Sequence, residues 1–213
     1  MNRLSATNMK EMLIFVANAV IDAKEMLCQA DRNIGDGDHG VGMANGFESA
    51  RQELESKEFS DVYKVLATVG RTMIKVMGGA SGIIFGLLFY AGTKDTVPKA
   101  EINTIEFSEI FAKALVEIQA KGQAKVGDKT IVDALVPMVE SLKESAAKDV
   151  SFKEMLLKAY VAAEKGKEAS KNYVARFGKA KTLGERAIGY PDAGAVSLTV
   201  IIKAMSDWAS KNL

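Results

Sequence analysis

Asp31-Arg32-Asn33-Ile34-Gly35-Asp36-Gly37-Asp38-His39-Gly40 gathers three carboxylates, three glycines and the chain's single histidine into one short connection. A run so dense in acid and glycine does not belong in a core, and its makeup is too specific for a solvated spacer. Asp36 and Asp38 are two residues apart. A helix would point them in different directions, whereas a looped or extended backbone turns them to the same side. The glycines favour the loop because they tolerate positive φ and let the backbone approach a ligand closely. Asp31 falls at the end of the preceding apolar-periodic segment, the unfavourable end of a helix dipole for an acid. Three neighbouring carboxylates raise one another's pKa unless a cation holds them. Hard oxygen donors suit Mg2+ or Ca2+ rather than zinc.

The spacing excludes an EF-hand: counted from Asp36, the sixth position is Val41 instead of glycine and the twelfth is Phe47 instead of glutamate. Mg2+ commonly completes its shell with substrate phosphates. The segment from about 40 to 54 reads as a helix whose N-terminus faces the acids and favours an anion. Asp-Gly pairs are also ordinary turn formers, which would account for Asp36-Gly37-Asp38 by itself. The stretch as a whole points to a divalent-metal and phosphate site. His39 could be a general base, a phosphate carrier, a metal ligand or a hydrogen-bonded structural group. Beside three acids it is expected to touch a nucleotide or phosphate rather than to carry a covalent phosphate.

Other polar, glycine-rich breaks recur at segment ends. Gly78-Gly79-Ala80-Ser81-Gly82 reads equally as a helix C-cap with tight packing or as a phosphate cradle at a helix start. Gly127-Asp128-Lys129-Thr130 offers a cap, and Leu183-Gly184-Glu185-Arg186 and Asp192-Ala193-Gly194 offer caps or surface ion pairs. Together they suggest one composite pocket built at several helix ends.

The elements that must carry these breaks read as helices. Three prolines in 213 residues and an abundance of Ala, Leu, Lys, Glu and Met favour helix throughout. The first segment, about 7 to 29, spaces Met9, Met12, Leu13, Val16, Val20 and Leu27 on one face. The second runs from about 40 to 54. The third is capped by Ser60 and continues to Met77, and an apolar fourth follows the glycine run through Phe89. A fifth spans about 104 to 121. The sixth, about 130 to 147, has Pro137 inside, predicting a kink or a late start. The seventh covers about 151 to 173, and a long connection, 176 to 191, precedes the last, about 193 to 210. No alternating strand pattern appears. The expectation is an all-α single domain over 1–213 with eight amphipathic helices, short links placing neighbours antiparallel.

Composition bounds the function. The 48% apolar content suffices for a core, and 28 Lys and Arg against 27 Asp and Glu leave no charge to recruit nucleic acid or an anionic membrane. A single cysteine, Cys28, precludes an internal disulfide framework and fits a reducing compartment. No signal-peptide pattern opens the chain. The most apolar run, 82 to 92, is about half of what a bilayer span needs. A soluble cytoplasmic protein is expected.

The acidic loop and the four further motifs, in this order and spacing over about 31 to 200, resemble DhaL, the nucleotide-binding subunit family of bacterial dihydroxyacetone kinases. The resemblance implies eight antiparallel helices closed into an α-barrel, matching the count above. It implies that Asp31, Asp36 and Asp38 are the catalytic metal ligands, holding two Mg2+ that bind nucleotide phosphates. It also places His39, Gly40, Val41, Gly42, Ala80, Ser81, Gly122, Thr130, Ile131, Lys179, Asp192, Ala193 and Gly194 around ADP or ATP.

In the family's phosphotransferase-system branch, ADP stays bound like a coenzyme. A phosphohistidine on a DhaM-like partner converts it to ATP, and the γ-phosphoryl passes to dihydroxyacetone on a DhaK-like subunit. The other branch fuses the DhaK-like and DhaL-like parts and uses free ATP. A homodimer and binding to a transcription regulator are also expected from the resemblance. Three positions depart from the family pattern: Gly42 stands for a common Asn, Lys179 for Arg, and Ala193 for Pro. Other acceptors, a regulatory nucleotide-sensing module and a stand-alone metal phosphatase are the competing readings.

Overall fold

The computed structural model describes residues 2–213, and among these nine α-helical segments account for nearly all regular structure. They are α1 (Ala6–Asp22), α2 (Lys24–Arg32), α3 (His39–Glu55), α4 (Val62–Met77), α5 (Gly79–Tyr90), α6 (Thr104–Gly122), α7 (Val132–Ala147), α8 (Phe152–Ala169) and α9 (Ala193–Asn212). The all-α expectation holds. Each helix buries the apolar stripe its sequence spells out. Phe47, Phe85, Phe89, Phe107, Phe111 and Phe152 are among the largest side chains almost wholly removed from water. Phe47 meets Phe89, and Phe107 meets Phe152, edge to face at 6.0 and 5.4 Å, the arrangement that aromatic quadrupoles favour. Neighbours in chain order pack on one another from α3 to α9, and α1 lies against α3, α4 and α9.

Four details differ from the expectation. The first predicted helix is two: the chain turns at Ala23 (φ −79°, ψ 0°) without Gly or Pro. The turn lets α2 lie against α3 and α9 and carry Asp31 in its last turn. Two three-residue strands, β1 (Arg3–Ser5) and β2 (Glu101–Asn103), pair antiparallel with Leu4 opposite Ile102. Both side chains are fully buried, and strands this short show no alternation to read. The cap of α4 is Asp61, which accepts from the Tyr63 amide, not Ser60. The helix carrying Pro137 begins at Val132 and runs through the proline to Ala147.

The strand pair fixes two helix starts. Ser5 caps α1, and Asn103 with Glu106 forms a capping box on α6, which satisfies otherwise orphaned amides.

Candidate functional site

The polar breaks converge. The α2–α3 loop, the α4–α5 junction, the end of α6, the approach to α7, the 177–180 turn and the start of α9 together line one cleft of about 870 Å3. Every site residue expected from the sequence lines it except Gly40. Gly40 is buried where α3 crosses α2: a Cβ there would lie 2.3 Å from the Lys24 carbonyl and 2.5 Å from the Cys28 amide. It is held by close packing and does not itself line the cleft.

The acidic loop is preorganised by Asp31. One of its oxygens (Oδ2) accepts from the Gly37 amide at 2.8 Å and the His39 amide at 3.3 Å. Gly37 is needed for this turn, with φ +82° and no room for a Cβ beside Arg32. Asp31, Asp36 and Asp38 each bring a carboxylate oxygen within 4.8 Å of the others. Three hard donors at this spacing fit a divalent cation. Lys179 pairs with Asp36 and lies 3.6 Å from Asp38. Its hydrogen bond holds the Asp36 carboxyl below the usual carboxylate range, so the ammonium offsets part of the acids' mutual repulsion.

Facing the acids are helix starts. α5 begins at the cleft with no side-chain cap hydrogen bond, so its first N–H groups and the positive end of its dipole are open to an anion. The start of α3 is different: the His39 amide donates to Asp31 and the Val41 amide to the Asp38 carbonyl at 3.0 Å, so α3 contributes chiefly its dipole. Gly78, at φ +63°, is the C-cap of α4, and a Cβ on Gly82 would lie 3.1 Å from that of Met77, so the cap-and-packing reading of the glycine run holds. Ala80 and Ser81 occupy the first turn of α5, where the run also meets the cleft.

His39 lines the same wall with its Nε2 2.7 Å from the Ser197 hydroxyl and its ring 5.8 Å from that of Phe85. Burial lowers its pKa, with Asp31 and Asp38 opposing more weakly. One ring nitrogen is therefore already engaged, which fits a wall group better than a phosphate carrier.

At the far wall Asp192 caps α9, accepting from the Ala195 amide at 2.8 Å. Burial, reinforced by Asp133, pushes its carboxyl from 3.8 up to about 7 against the Ala195 amide and the Lys129 ammonium. Because the folded pKa exceeds the unfolded one, the native state holds the extra proton between them. The group's contribution is therefore most favourable at acid pH and is lost as pH rises through 7. Asp192→Asn keeps an acceptor for the cap. Its melting temperature relative to the unsubstituted protein is expected to rise between pH 4 and pH 8, by an equivalent of at most about 4 kcal/mol. Parallel melting curves across that range would remove the assignment.

Sequence reasoning missed several residues in and behind the wall. Behind it Asp133, not Asp128, organises the turn before α7, accepting from Gly127 and Thr130 at 2.6 Å each. Asp128 instead holds the Lys125 amide and the Arg176 side chain. Lys129 and the apolar lining of Met77, Ile84, Ile118 and Phe177 were also unforeseen. A polar Ser197 on the otherwise apolar face of α9 was the available signal for the His39 contact.

A family model described as the DAK2 domain matches residues 33–207. The chain is 32% identical over 203 residues to the "PEP-dependent dihydroxyacetone kinase, ADP-binding subunit DhaL" of Escherichia coli (strain K12), covering 95% of this chain and 97% of that protein. It is 34% identical over 198 residues to the "D-erythrulose kinase" of Mycolicibacterium smegmatis, covering 90% of this chain and 33% of that protein. The crystal structure of the dihydroxyacetone kinase from C. freundii in complex with AMP-PNP and Mg2+ superposes with TM-score 0.72 at 23% identity, over 94% of this chain and 34% of that one. This last likeness concerns the fold. No helix among the described residues is long and apolar enough to cross a membrane.

Proposed function

Since the chain belongs to the DAK2-domain family, we propose that it is the nucleotide-carrying subunit of a phosphotransferase that phosphorylates dihydroxyacetone. The observation that carries this reading is the pairing of three clustered carboxylates with the uncapped start of α5 across one cleft. Asp31, Asp36 and Asp38 are the residues that would hold two Mg2+. The ions supply neutralisation of the charge spread over a transferring phosphoryl group.

The rest is done by the chain itself. Asp31 keeps the loop in shape through the Gly37 and His39 amides. Ala80 and Ser81 present helix-start backbone to the phosphates, and Val41 and Gly42 line the cleft. Gly122, Thr130, Ile131, Ala193 and Gly194 form the opposite wall. Lys179 is placed to turn from the acids to a phosphate oxygen, as a point charge rather than the bidentate fork an arginine would give. Gly42 leaves its Cβ direction open, with the nearest atom 3.9 Å away, so no side chain there stands in for the family's more common Asn.

In this reading ADP remains bound, a DhaM-like phosphohistidine protein converts it to ATP, and a DhaK-like subunit holds the acceptor. A transcription regulator and a second copy of this chain complete the proposed partners. Exposed Ile105 and Val116, on one face of α6, supply apolar surface for the latter. The cytoplasm is the proposed location. The likeness to an erythrulose kinase favours a second version, in which another short keto-sugar is the acceptor and free ATP the donor.

The test is the nucleotide content of the purified protein, released by denaturation and resolved by chromatography. Near-stoichiometric ADP that exchanges slowly is expected. An empty protein that binds and exchanges MgATP would favour the second version, and one that binds no nucleotide would end both.

A further inference from the structure

Lys129 is a buried cation that the proposed chemistry does not use. Its residue is 1% exposed although it stands in the cleft wall. Its backbone adopts φ +58°, a left-handed conformation uncommon outside glycine. The ammonium donates to two carbonyls, Ser170 at 2.8 Å and Tyr190 at 2.6 Å. Ser170 is the last-turn cap of α8, whose carbonyl end favours a cation. Tyr190 lies two residues before Asp192, the cap of α9. The Ser170 hydroxyl accepts from the Asp192 amide at 3.0 Å and donates to the Lys167 carbonyl at 2.6 Å. Three segments distant in sequence therefore meet at one ammonium and one hydroxyl.

The two segments that would face the nucleotide are themselves in contact. A Cβ on Gly194 would lie 3.3 Å from Cβ of Ile131, so a shift of either the 129–131 or the 190–194 segment moves the other. Burial holds the Lys129 ammonium below the ordinary lysine range, and the Asp192 and Asp133 carboxylates oppose that. With two of three donors spent on carbonyls and almost no exposure, the ammonium is not free to take a phosphate directly.

We propose that Lys129, with Ser170, is a positioning residue that sets Thr130–Ile131 and Asp192–Gly194 at the separation a nucleotide requires. This rests on the nucleotide-binding reading above. A lysine strut has one property a purely apolar one lacks. Its charge-assisted bonds to two carbonyls fix direction as well as distance. Removing it leaves the buried Ser170 carbonyl without that donor and releases the Tyr190 carbonyl from α8, which favours rearrangement of the wall. The metal loop lies on α2 and α3 and shares none of these hydrogen bonds, so it is expected to be indifferent.

The test uses the full chain carrying Lys129→Met, Lys129→Arg or Ser170→Ala. Three quantities are read: thermal stability, Mn2+ affinity without nucleotide, and ADP affinity with Mg2+. Lys129→Met is expected to weaken ADP at least tenfold while Mn2+ affinity stays within twofold, and Lys129→Arg to recover most of the loss. Ser170→Ala keeps the lysine–carbonyl bonds but frees the Asp192 amide, and is expected to weaken ADP severalfold. It carries the test if Lys129→Met does not fold. Undiminished ADP affinity in the folded variants overturns the proposal, as does a parallel fall in Mn2+ affinity, which would mark a merely structural role. If the unsubstituted protein binds no ADP, the nucleotide reading fails and takes the proposal with it.

Discussion

Asp36→Asn or Asp38→Asn is expected to abolish phosphoryl transfer while leaving helix content and melting behaviour close to those of the unsubstituted protein. Asparagine matches aspartate in shape but brings no charge to a cation site. The two residues are exposed and cap nothing: Asp38 precedes α3 without a side-chain hydrogen bond to it, and Asp36 is engaged with Lys179 at the surface. Exposed ion pairs contribute little to stability, so the fold has little to lose. Asp31 would give a less clean experiment, because its carboxylate also shapes the loop through the Gly37 and His39 amides.

Charge neutralisation by metal is worth several kcal/mol in a phosphoryl transfer, so a loss of roughly a thousandfold or more is expected. The measurement is turnover in the complete kinase assembled with its partner proteins, alongside circular dichroism and Mn2+ titration of the variants. Full turnover in either variant would sink the metal assignment. Lost turnover with intact Mn2+ affinity would place the acids in some other role.

The residues that made the acidic loop legible were those whose chemistry has few alternative explanations. Glycine bends the chain so that acids spaced along it can face one another, and the structure brings Asp31, Asp36 and Asp38 together as read. The helices were legible because each carries one apolar stripe. Packing can still redirect a continuous stripe: Ala23 sits in unbroken periodicity, yet the chain turns there to seat α2 on α3 and α9. The strands around Leu4 and Ile102 were hidden by their length. In the cleft wall, residues joined through space left no local trace. Lys129 looked like part of a cap, while its partners lie 41 and 61 residues away. Ser197 reaches His39 across 158 residues. Wall residues such as Gly122 and Lys179 were expected on family resemblance alone, because no local pattern marks them.

Two glycines two positions apart in α3 should respond oppositely to the same substitution. A methyl group on Gly40 would meet backbone, the Lys24 carbonyl at 2.3 Å and the Cys28 amide at 2.5 Å, with Cys28 Sγ at 2.7 Å. Helix backbone cannot rotate aside as a side chain does, so the two helices must separate. Overpacking of this kind costs about 1–3 kcal/mol or more, against about 1 kcal/mol gained from replacing glycine in a helix. The separation acts directly on the site: α2 carries Asp31, α3 begins at His39, and the loop with Asp36 and Asp38 spans the gap. Gly40→Ala is therefore expected to lower the melting temperature by several degrees and to weaken Mn2+ binding at least tenfold. Gly42→Ala meets nothing closer than the Met77 methyl at 3.9 Å and gains the helix propensity without the clash, so equal or higher stability is expected with Mn2+ affinity unchanged. Melting curves and metal titrations of the two variants side by side decide the matter. If Gly40→Ala were as stable and as tight for Mn2+ as Gly42→Ala, the close seat of α3 on α2 would not be what holds the three acids together.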